Sequence, residues 1–277
     1  VGSPTILDTI LARRERDIAQ AKGAVPARAL EARLPDAPPA IDFVARLRRD
    51  APMAVIAEIK RASPSRGDIA PGLDAAEQAL RYARGGASAI SVLTEPTWFK
   101  GTLEDMAAVR RAVDAIGPDR PAILRKDFII GEYQLLEARV HGADAVLLIV
   151  AALDDARLSA LAAAAAALGM QSVVEVNNAD EMARAAPLGP SIIGINNRDL
   201  RSFRVELATT DRLAALVPAG AVLAAFSGVS SRADVERFAA AGATAVLVGE
   251  SLMVAPDPAA KIRELRGIPA DRPGAAR

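Results

Sequence analysis

The 277-residue chain has no cysteine and a single histidine, His141. The first absence excludes disulfides, iron–sulfur clusters, zinc–thiolate sites and a cysteine nucleophile. The second excludes a multi-histidine metal site. Net charge is also lacking, because 34 Lys and Arg balance 34 Asp and Glu. Nothing in the overall charge therefore points to nucleic acid or to an anionic membrane surface as partner. No apolar run approaches a membrane span, and the opening residues do not resemble a secretory signal. A soluble, cytoplasmic protein is the expectation. The chain opens Val1-Gly2-Ser3-Pro4 rather than with Met, which is compatible with a trimmed form or with a piece of a longer polypeptide.

What the sequence does contain is repetition. Short apolar, β-branched runs at 55–60, 89–94, 122–126, 145–150, 172–176, 192–196, 221–226 and 245–249 alternate with helix-like stretches. Runs this uniformly apolar suit a parallel sheet buried on both faces. Eight such units predict an α/β fold, a closed (β/α)8 TIM barrel of the whole chain, 1–277. The helices carry recognisable ends. Ser231-Arg232-Ala233-Asp234 has the form of a capping box, and Gly142, Gly169 and Gly242 sit where helices turn into strands. The alanine run 162–167 reads simply as helix.

Residues 1–50 stand outside the repeat as an N-terminal helical extension. Ile6, Leu7, Ile10, Leu11 and Ile18 form an apolar helical face, with Arg13, Arg14, Glu15, Arg16 and Asp17 assigned to the solvated side. A Pro- and Ala-rich link leads to a second short helix at 41–49, and both helices are expected to act as lids or plugs. Alone they are too short to bury a core.

In a barrel of this kind the strand C-termini and the loops after them form the active site. The first strand there carries Glu58 and Lys60, two apart and so on one face. The third ends Leu124-Arg125-Lys126-Asp127, the fifth carries Glu175, and the sixth ends Asn196-Asn197-Arg198. Charged groups among aliphatics on a buried strand are costly unless paired or used. A stabilising belt of ion pairs would explain one such group; four favour chemistry. Ser227-Gly228 and Gly249-Glu250 close the last two strands. Glycine there lets backbone N–H groups approach an anion, as at a phosphate site, although Gly at a strand–loop junction also serves plain turns. Ser63 to Gly67 reads as a mobile polar loop at the mouth. Trp98, Phe99 and Phe128 are lid residues or walls for a flat ring. Tyr82 and Tyr133 are expected to pack within helices, and His141 to meet a backbone carbonyl or solvent at a helix C-terminus.

The strings AEIKRASPSRGDI, ISVLTEPTWFKGTLEDM, LRKDFIIGEYQLLEARVHGADAVLLIV, VVEV, IIGINNRDL and LVGESLM, in this order along essentially the whole chain, strongly resemble the indole-3-glycerol-phosphate synthase family. The resemblance implies a cofactor-free lyase (a carboxy-lyase) of tryptophan biosynthesis. It would convert a small phosphorylated aromatic substrate, 1-(2-carboxyphenylamino)-1-deoxyribulose 5-phosphate, into indole-3-glycerol phosphate, CO2 and water. By motif, Lys126 would be the general acid and Glu175 would assist proton transfer in dehydration. Lys60 would contact the substrate's anionic groups, Glu58 would orient lysine and substrate, and Asn196 and Arg198 would organise the site. Ser63, Ser227, Gly228, Gly249 and Glu250 would surround the ligand or its phosphate, and Phe99, Phe128 and Leu147 would wall the anthranilate ring. Many members carry a glutamate where this chain has Phe226. An apolar residue there resembles fungal members, in which the barrel is fused to other tryptophan-pathway enzymes. Phosphoribosylanthranilate isomerase, whose family relies on a cysteine–aspartate pair, is set aside for want of cysteine. A catalytically dead binding module is favoured by Phe226 and opposed by intact Glu58, Lys60, Lys126 and Glu175.

Overall fold

A strand that is apolar on both faces needs a cover on each, and a sheet that closes on itself supplies one of them. The computed structural model, which describes residues 4–267, shows this arrangement. Eight parallel strands form a closed barrel: β1 (Ala54–Ile59), β2 (Ala89–Leu93), β3 (Ala122–Lys126), β4 (Ala145–Ile149), β5 (Gln171–Val176), β6 (Ile192–Asn196), β7 (Val222–Phe226) and β8 (Ala245–Val248). Each strand pairs with its sequence neighbours, and β8 returns to β1 with Ala245 opposite Ala54. Every predicted strand is present, with ends shifted by a residue or so. The barrel belongs to the TIM class.

The period-two alternation of the strands sorts their side chains into two populations. Val55, Ile90, Ile123, Val146, Val174 and Val246 point outward into the layer shared with the surrounding helices. Ile56, Leu124, Leu147, Val173, Ala224 and Leu247 fill the interior. Eight helices lie outside the barrel. They are α4 (Ala75–Arg84), α5 (Leu103–Asp114), α6 (Glu132–Val140), α7 (Asp155–Ala167), α8 (Ala179–Ala185), α9 (Ala208–Leu213), α10 (Arg232–Ala240) and α12 (Pro258–Arg266); the one-turn helix α11 (Glu250–Met253) follows β8. The expected capping box opens α10, where Ser231 Oγ accepts the Asp234 N–H. His141 caps α6, its Nδ1 2.7 Å from the Glu137 carbonyl oxygen.

Three helices precede the barrel: α1 (Ile6–Ala24), α2 (Ala27–Glu31) and α3 (Phe43–Arg49). The N-terminal layer of the barrel is lined by small residues, Ala54, Ala89, Ala122, Ala145 and Ala245, which leave the bottom under-filled. Phe43, Val44 and Leu47 of α3 fill that space. The plug is pinned by polar contacts, since the Val44 N–H donates to Gln171 Oε1 at 2.9 Å and the Ile41 N–H to Asp144 Oδ1 at 2.9 Å.

Helix α1 covers the opposite end, and here one expectation is corrected. Arg14 is not on the solvated side with Arg13 and Arg16. It is 5% exposed, and its guanidinium donates to Asp127 Oδ2 at 3.0 Å and to Asp17 Oδ2 at 3.1 Å. The helix thus turns one long cationic side chain inward to meet a buried carboxylate that the charge run around it concealed. The segment from Ser63 to Gly67 also departs from its expected form. It is part of a short antiparallel hairpin, Ala62–Ser63 with Gly67–Asp68. Arg66 pairs with Glu250 at 3.0 Å and Asp68 with Lys100 at 2.5 Å, so the hairpin is braced on both sides of the mouth. Among the described residues no helix is long and apolar enough to cross a membrane.

Candidate active site

The inward alternation brings Glu58, Lys126, Glu175 and Phe226 to the C-terminal rim from β1, β3, β5 and β7, one side chain from each alternate strand. They line a cavity of about 460 Å³ at the barrel mouth. Of the other residues named from the sequence as site candidates, Lys60, Ser63, Phe99, Phe128, Leu147, Asn196, Arg198, Ser227, Gly228, Gly249 and Glu250 line it too. Trp98 does not; it faces a shallow groove beside α1 with Thr9 and Arg13.

Two ion pairs organise the polar half. Lys126 Nζ lies 3.2 Å from Glu175 Oε2, and Asn196 Nδ2 donates to the other oxygen, Oε1, at 3.0 Å. Asn196 is fixed in turn, because its Oδ1 accepts the Arg198 N–H at 3.0 Å and its carbonyl accepts Asn177 Nδ2 at 2.7 Å. A carboxylate held at both oxygens presents a set geometry to its lysine. Across the cavity Lys60 Nζ stands 3.0 Å from Glu58 Oε1. The Glu58 peptide is anchored from behind by Tyr82, whose hydroxyl donates to its carbonyl at 3.0 Å; burial pushes that hydroxyl's pKa upward, so it stays a donor.

Gly249 has a steric reason. A Cβ at this position would lie 2.5 Å from Glu58 Oε1 and 3.2 Å from Lys60 Nζ. The strand end comes this close to the ion pair, and any larger residue here would displace the Glu58 carboxylate.

The loop after β7 is set by its backbone. Ser227 has φ +65° and Gly228 φ +87°, two successive left-handed residues. A non-glycine residue pays about 1 kcal/mol for this conformation and keeps it only when neighbours enforce it. Asn197 is the enforcer: its Nδ2 donates to the carbonyls of Phe226 at 3.0 Å and Ser227 at 3.2 Å. Its Oδ1 accepts from the Thr210 N–H and hydroxyl. Among the described residues the Gly228 and Glu250 N–H groups donate to no protein acceptor, while those of Ser230 and Ser231 are taken by Asp234. The Glu250 carboxylate turns away to Arg66.

The apolar half comprises Phe99, Phe128, Leu147, Ile149 and Leu247, with Leu200 and Phe203 from the loop after β6. Phe99 and Phe128 lie with ring centroids 6.1 Å apart at 41°. Glu95 holds the Phe99 segment by accepting the N–H groups of Thr97, Trp98 and Phe99.

Behind the site lies a network that reasoning on the sequence passed over. Arg125 and Asp127 flank Lys126 and point outward. Asp127 Oδ2 receives Arg125 at 2.9 Å, Thr94 Oγ1 at 2.7 Å and Arg14 at 3.0 Å. Its Oδ1 accepts the Phe128 N–H at 2.8 Å. Burial works to raise the Asp127 pKa, but Arg125 and then Arg14 outweigh it and hold the carboxyl below its ordinary value. The available signal was the two-residue spacing of Arg125 and Asp127, which places both on the face opposite Lys126. Leu200, Phe203 and Asn197 left no comparable signal. Among the described residues no cluster of His, Asp or Glu is placed to hold a metal ion.

The family pattern described as indole-3-glycerol phosphate synthase matches residues 7–265. The multifunctional tryptophan biosynthesis protein of Phanerodontia chrysosporium is 54% identical over 274 residues, covering 96% of this chain and 34% of that protein. The corresponding protein of Schizosaccharomyces pombe is 54% identical over 268 residues, covering 95% and 35%. This chain thus spans about a third of the length of these fungal relatives. The indole-3-glycerol phosphate synthase of Roseiflexus sp. (strain RS-1) is 48% identical over 265 residues, covering 95% of this chain and 98% of that one. Among solved structures, 3-hexulose-6-phosphate synthase of Salmonella typhimurium superposes with a TM-score of 0.61 at 17% identity, over 78% of this chain and 98% of that chain; that likeness concerns the fold. On the family match and these identities, the chain belongs to the indole-3-glycerol phosphate synthase family.

Proposed function

We propose that this barrel is a carboxy-lyase that closes the indole ring of 1-(2-carboxyphenylamino)-1-deoxyribulose 5-phosphate, releasing indole-3-glycerol phosphate, CO2 and water. The observation that carries the reading is the Lys126–Glu175 pair, at 3.2 Å, opening onto the same cavity as an apolar ring wall and the free N–H groups of Gly228 and Glu250. In the first step the carboxylate-bearing aromatic carbon attacks the ketone carbon. A C–C bond forms and the carbonyl oxygen takes a proton from the Lys126 ammonium, which lowers the barrier where negative charge develops. The C–CO2 bond then breaks, its electron pair restoring the aromatic ring. Last, the new hydroxyl leaves as water after taking a proton, and the adjacent C–H proton is lost to a base; Glu175 serves this stage. Solvent returns a proton to Lys126.

Glu58 holds Lys60 aimed at the anionic groups of the substrate, with Asn196 and Arg198 shaping the polar side. Phe99, Phe128 and Leu147 flank the anthranilate ring. The phosphate sits against Ser63, Ser227, Gly228, Gly249 and the Glu250 N–H. The fungal relatives named as multifunctional tryptophan biosynthesis proteins support a place beside other enzymes of that route, and a cytoplasmic location is part of the same proposal.

The test is incubation of the purified chain with the substrate while indole fluorescence is followed; binding of substrate without any rise would refute the activity. For the phosphate cradle, Gly249→Ala forces Glu58 and Lys60 apart from the β8 end. We expect it to raise KM about tenfold, the loss of roughly one hydrogen bond to a charged group, with a smaller change in kcat. An unchanged KM in steady-state assays would remove Gly249 from the substrate site.

A further inference from the structure

Three of the four alternate-strand positions at the barrel rim carry ionisable side chains: Glu58 on β1, Lys126 on β3 and Glu175 on β5. The fourth, on β7, is Phe226, 1% exposed. Its ring occupies a notch made for it. A Cβ on Gly194, in the layer below on β6, would lie 2.6 Å from the ring's Cε2 and Cζ atoms. From that seat the ring faces Lys126, whose Nζ stands 5.7 Å from the centroid, within the distance at which an ammonium is held by the negative face of an arene.

We propose that Phe226 is a positioning residue for the ring-closing step, its π face, seated over Gly194, holding the Lys126 ammonium toward Glu175 and the substrate carbonyl. The inference rests on the reading of Lys126 as general acid. A π face attracts a cation but cannot take its proton. Glu175 therefore remains the anionic partner of Lys126 on this side, and the ammonium keeps a proton to give. The other charged residues lining the lysine's cavity are Glu58 from β1, Lys60 just after it, Arg198 from the loop after β6 and Glu250 after β8, whose carboxylate is paired with Arg66, while the Asp127 carboxylate is turned outward to Arg125 and Arg14. None of these is altered by a change at position 226.

The test compares pH–rate profiles of the full chain carrying Phe226→Leu, Phe226→Tyr or Gly194→Ala, with Lys126→Ala as control. Loss of the face in Phe226→Leu is expected to lower kcat about 5- to 30-fold and to move the basic limb of the kcat profile about half to one pH unit lower, with KM changed less than about threefold. Phe226→Tyr keeps the face and should leave the limb where it is in the wild type. Gly194→Ala, which does not touch the cavity, evicts the ring from its notch and should reproduce the shifted limb. Leu and Tyr variants with the same unmoved limb would overturn the proposal, because a ring that merely fills space cannot set the protonation of a neighbour. If Phe226→Leu does not fold, Gly194→Ala decides alone, an unmoved limb counting against the proposal and a lowered one for it. A Lys126→Ala variant with near-normal turnover would instead sink the general-acid reading, whereas an inactive one beside an unmoved Phe226→Leu limb sinks only this inference.

Discussion

Lys126→Ala is expected to lower kcat by about 10²- to 10⁴-fold, the usual worth of one positioned acid, while the fold survives. Lys126 sits at the rim with its side chain 16% exposed and its charge met by one carboxylate, Glu175, at 3.2 Å. Truncation removes an ammonium from the cavity but no group from the hydrophobic layers. It does leave Glu175 without a cationic partner, although Asn196 still donates to its Oε1 at 3.0 Å. The thermal midpoint should therefore move little. Substrate affinity should also change less than kcat, because the apolar wall and the two glycine loops remain. Steady-state kinetics on the variant check this. Turnover within a few-fold of the wild type would remove Lys126 from the role of acid.

The second large effect concerns stability. Asp127 is the point at which α1 is keyed to the end of β3, since it receives Arg14, Arg125 and Thr94 on one oxygen. Asp127→Ala takes one carboxylate from each of two buried guanidinium groups, leaving Arg14 with Asp17 and Arg125 with Glu137, and removal of one partner from a buried ionic cluster costs about 3–5 kcal/mol. A drop in thermal midpoint on the order of 10 °C follows. Arg14→Ala should cost less, about 1.5–3 kcal/mol, the range for a hydrogen bond to a charged group, because Asp127 keeps Arg125. The same pair gives stability an acid limb. Burial would raise the Asp127 pKa, yet Arg125 and Arg14 hold it below the ordinary carboxylate value of about 3.9. As pH falls, the unfolded chain takes up this proton before the folded one does. The stabilisation is therefore complete above about pH 5 and drains away as pH drops through the depressed folded value. Asp127→Asn, which cannot ionise, should unfold in denaturant with a flatter dependence on pH below about 4. A slope equal to that of the wild type would place the acid sensitivity elsewhere.

These effects also separate what could be read along the chain from what could not. The barrel was legible because strands buried on both faces have little choice of residue, so runs such as Ala145 to Ile149 stand out against amphipathic helices. Glu58, Lys126 and Glu175 were legible for the opposite reason: an ionised group inside such a run is too costly to be filler. Arg14 was hidden because it lies in a run of surface charges, and its partner is 113 positions away. No local period reports a side chain that long reaching back into the protein. Asn197 was hidden because its work is on backbone, tying the Phe226 and Ser227 carbonyls across a strand boundary. The left-handed turn at Ser227 was invisible for the same reason, since serine carries no preference for it. The braced hairpin at Ala62 to Asp68 depends on Glu250 and Lys100, one of them nearly two hundred positions further along the chain, and so read as a loose polar loop.

The proposed activity requires one cavity at the barrel mouth to hold the acid, the ring wall and the phosphate cradle at once. A crystal structure of the chain with indole-3-glycerol phosphate bound tests it most directly. The indole ring is expected against Phe99, Phe128 and Leu147, the phosphate oxygens on the Gly228 and Glu250 N–H groups, and Lys126 Nζ at the face where the new ring bond forms. A product bound elsewhere, or seated in this cavity with its phosphate turned away from both glycine loops, would contradict it.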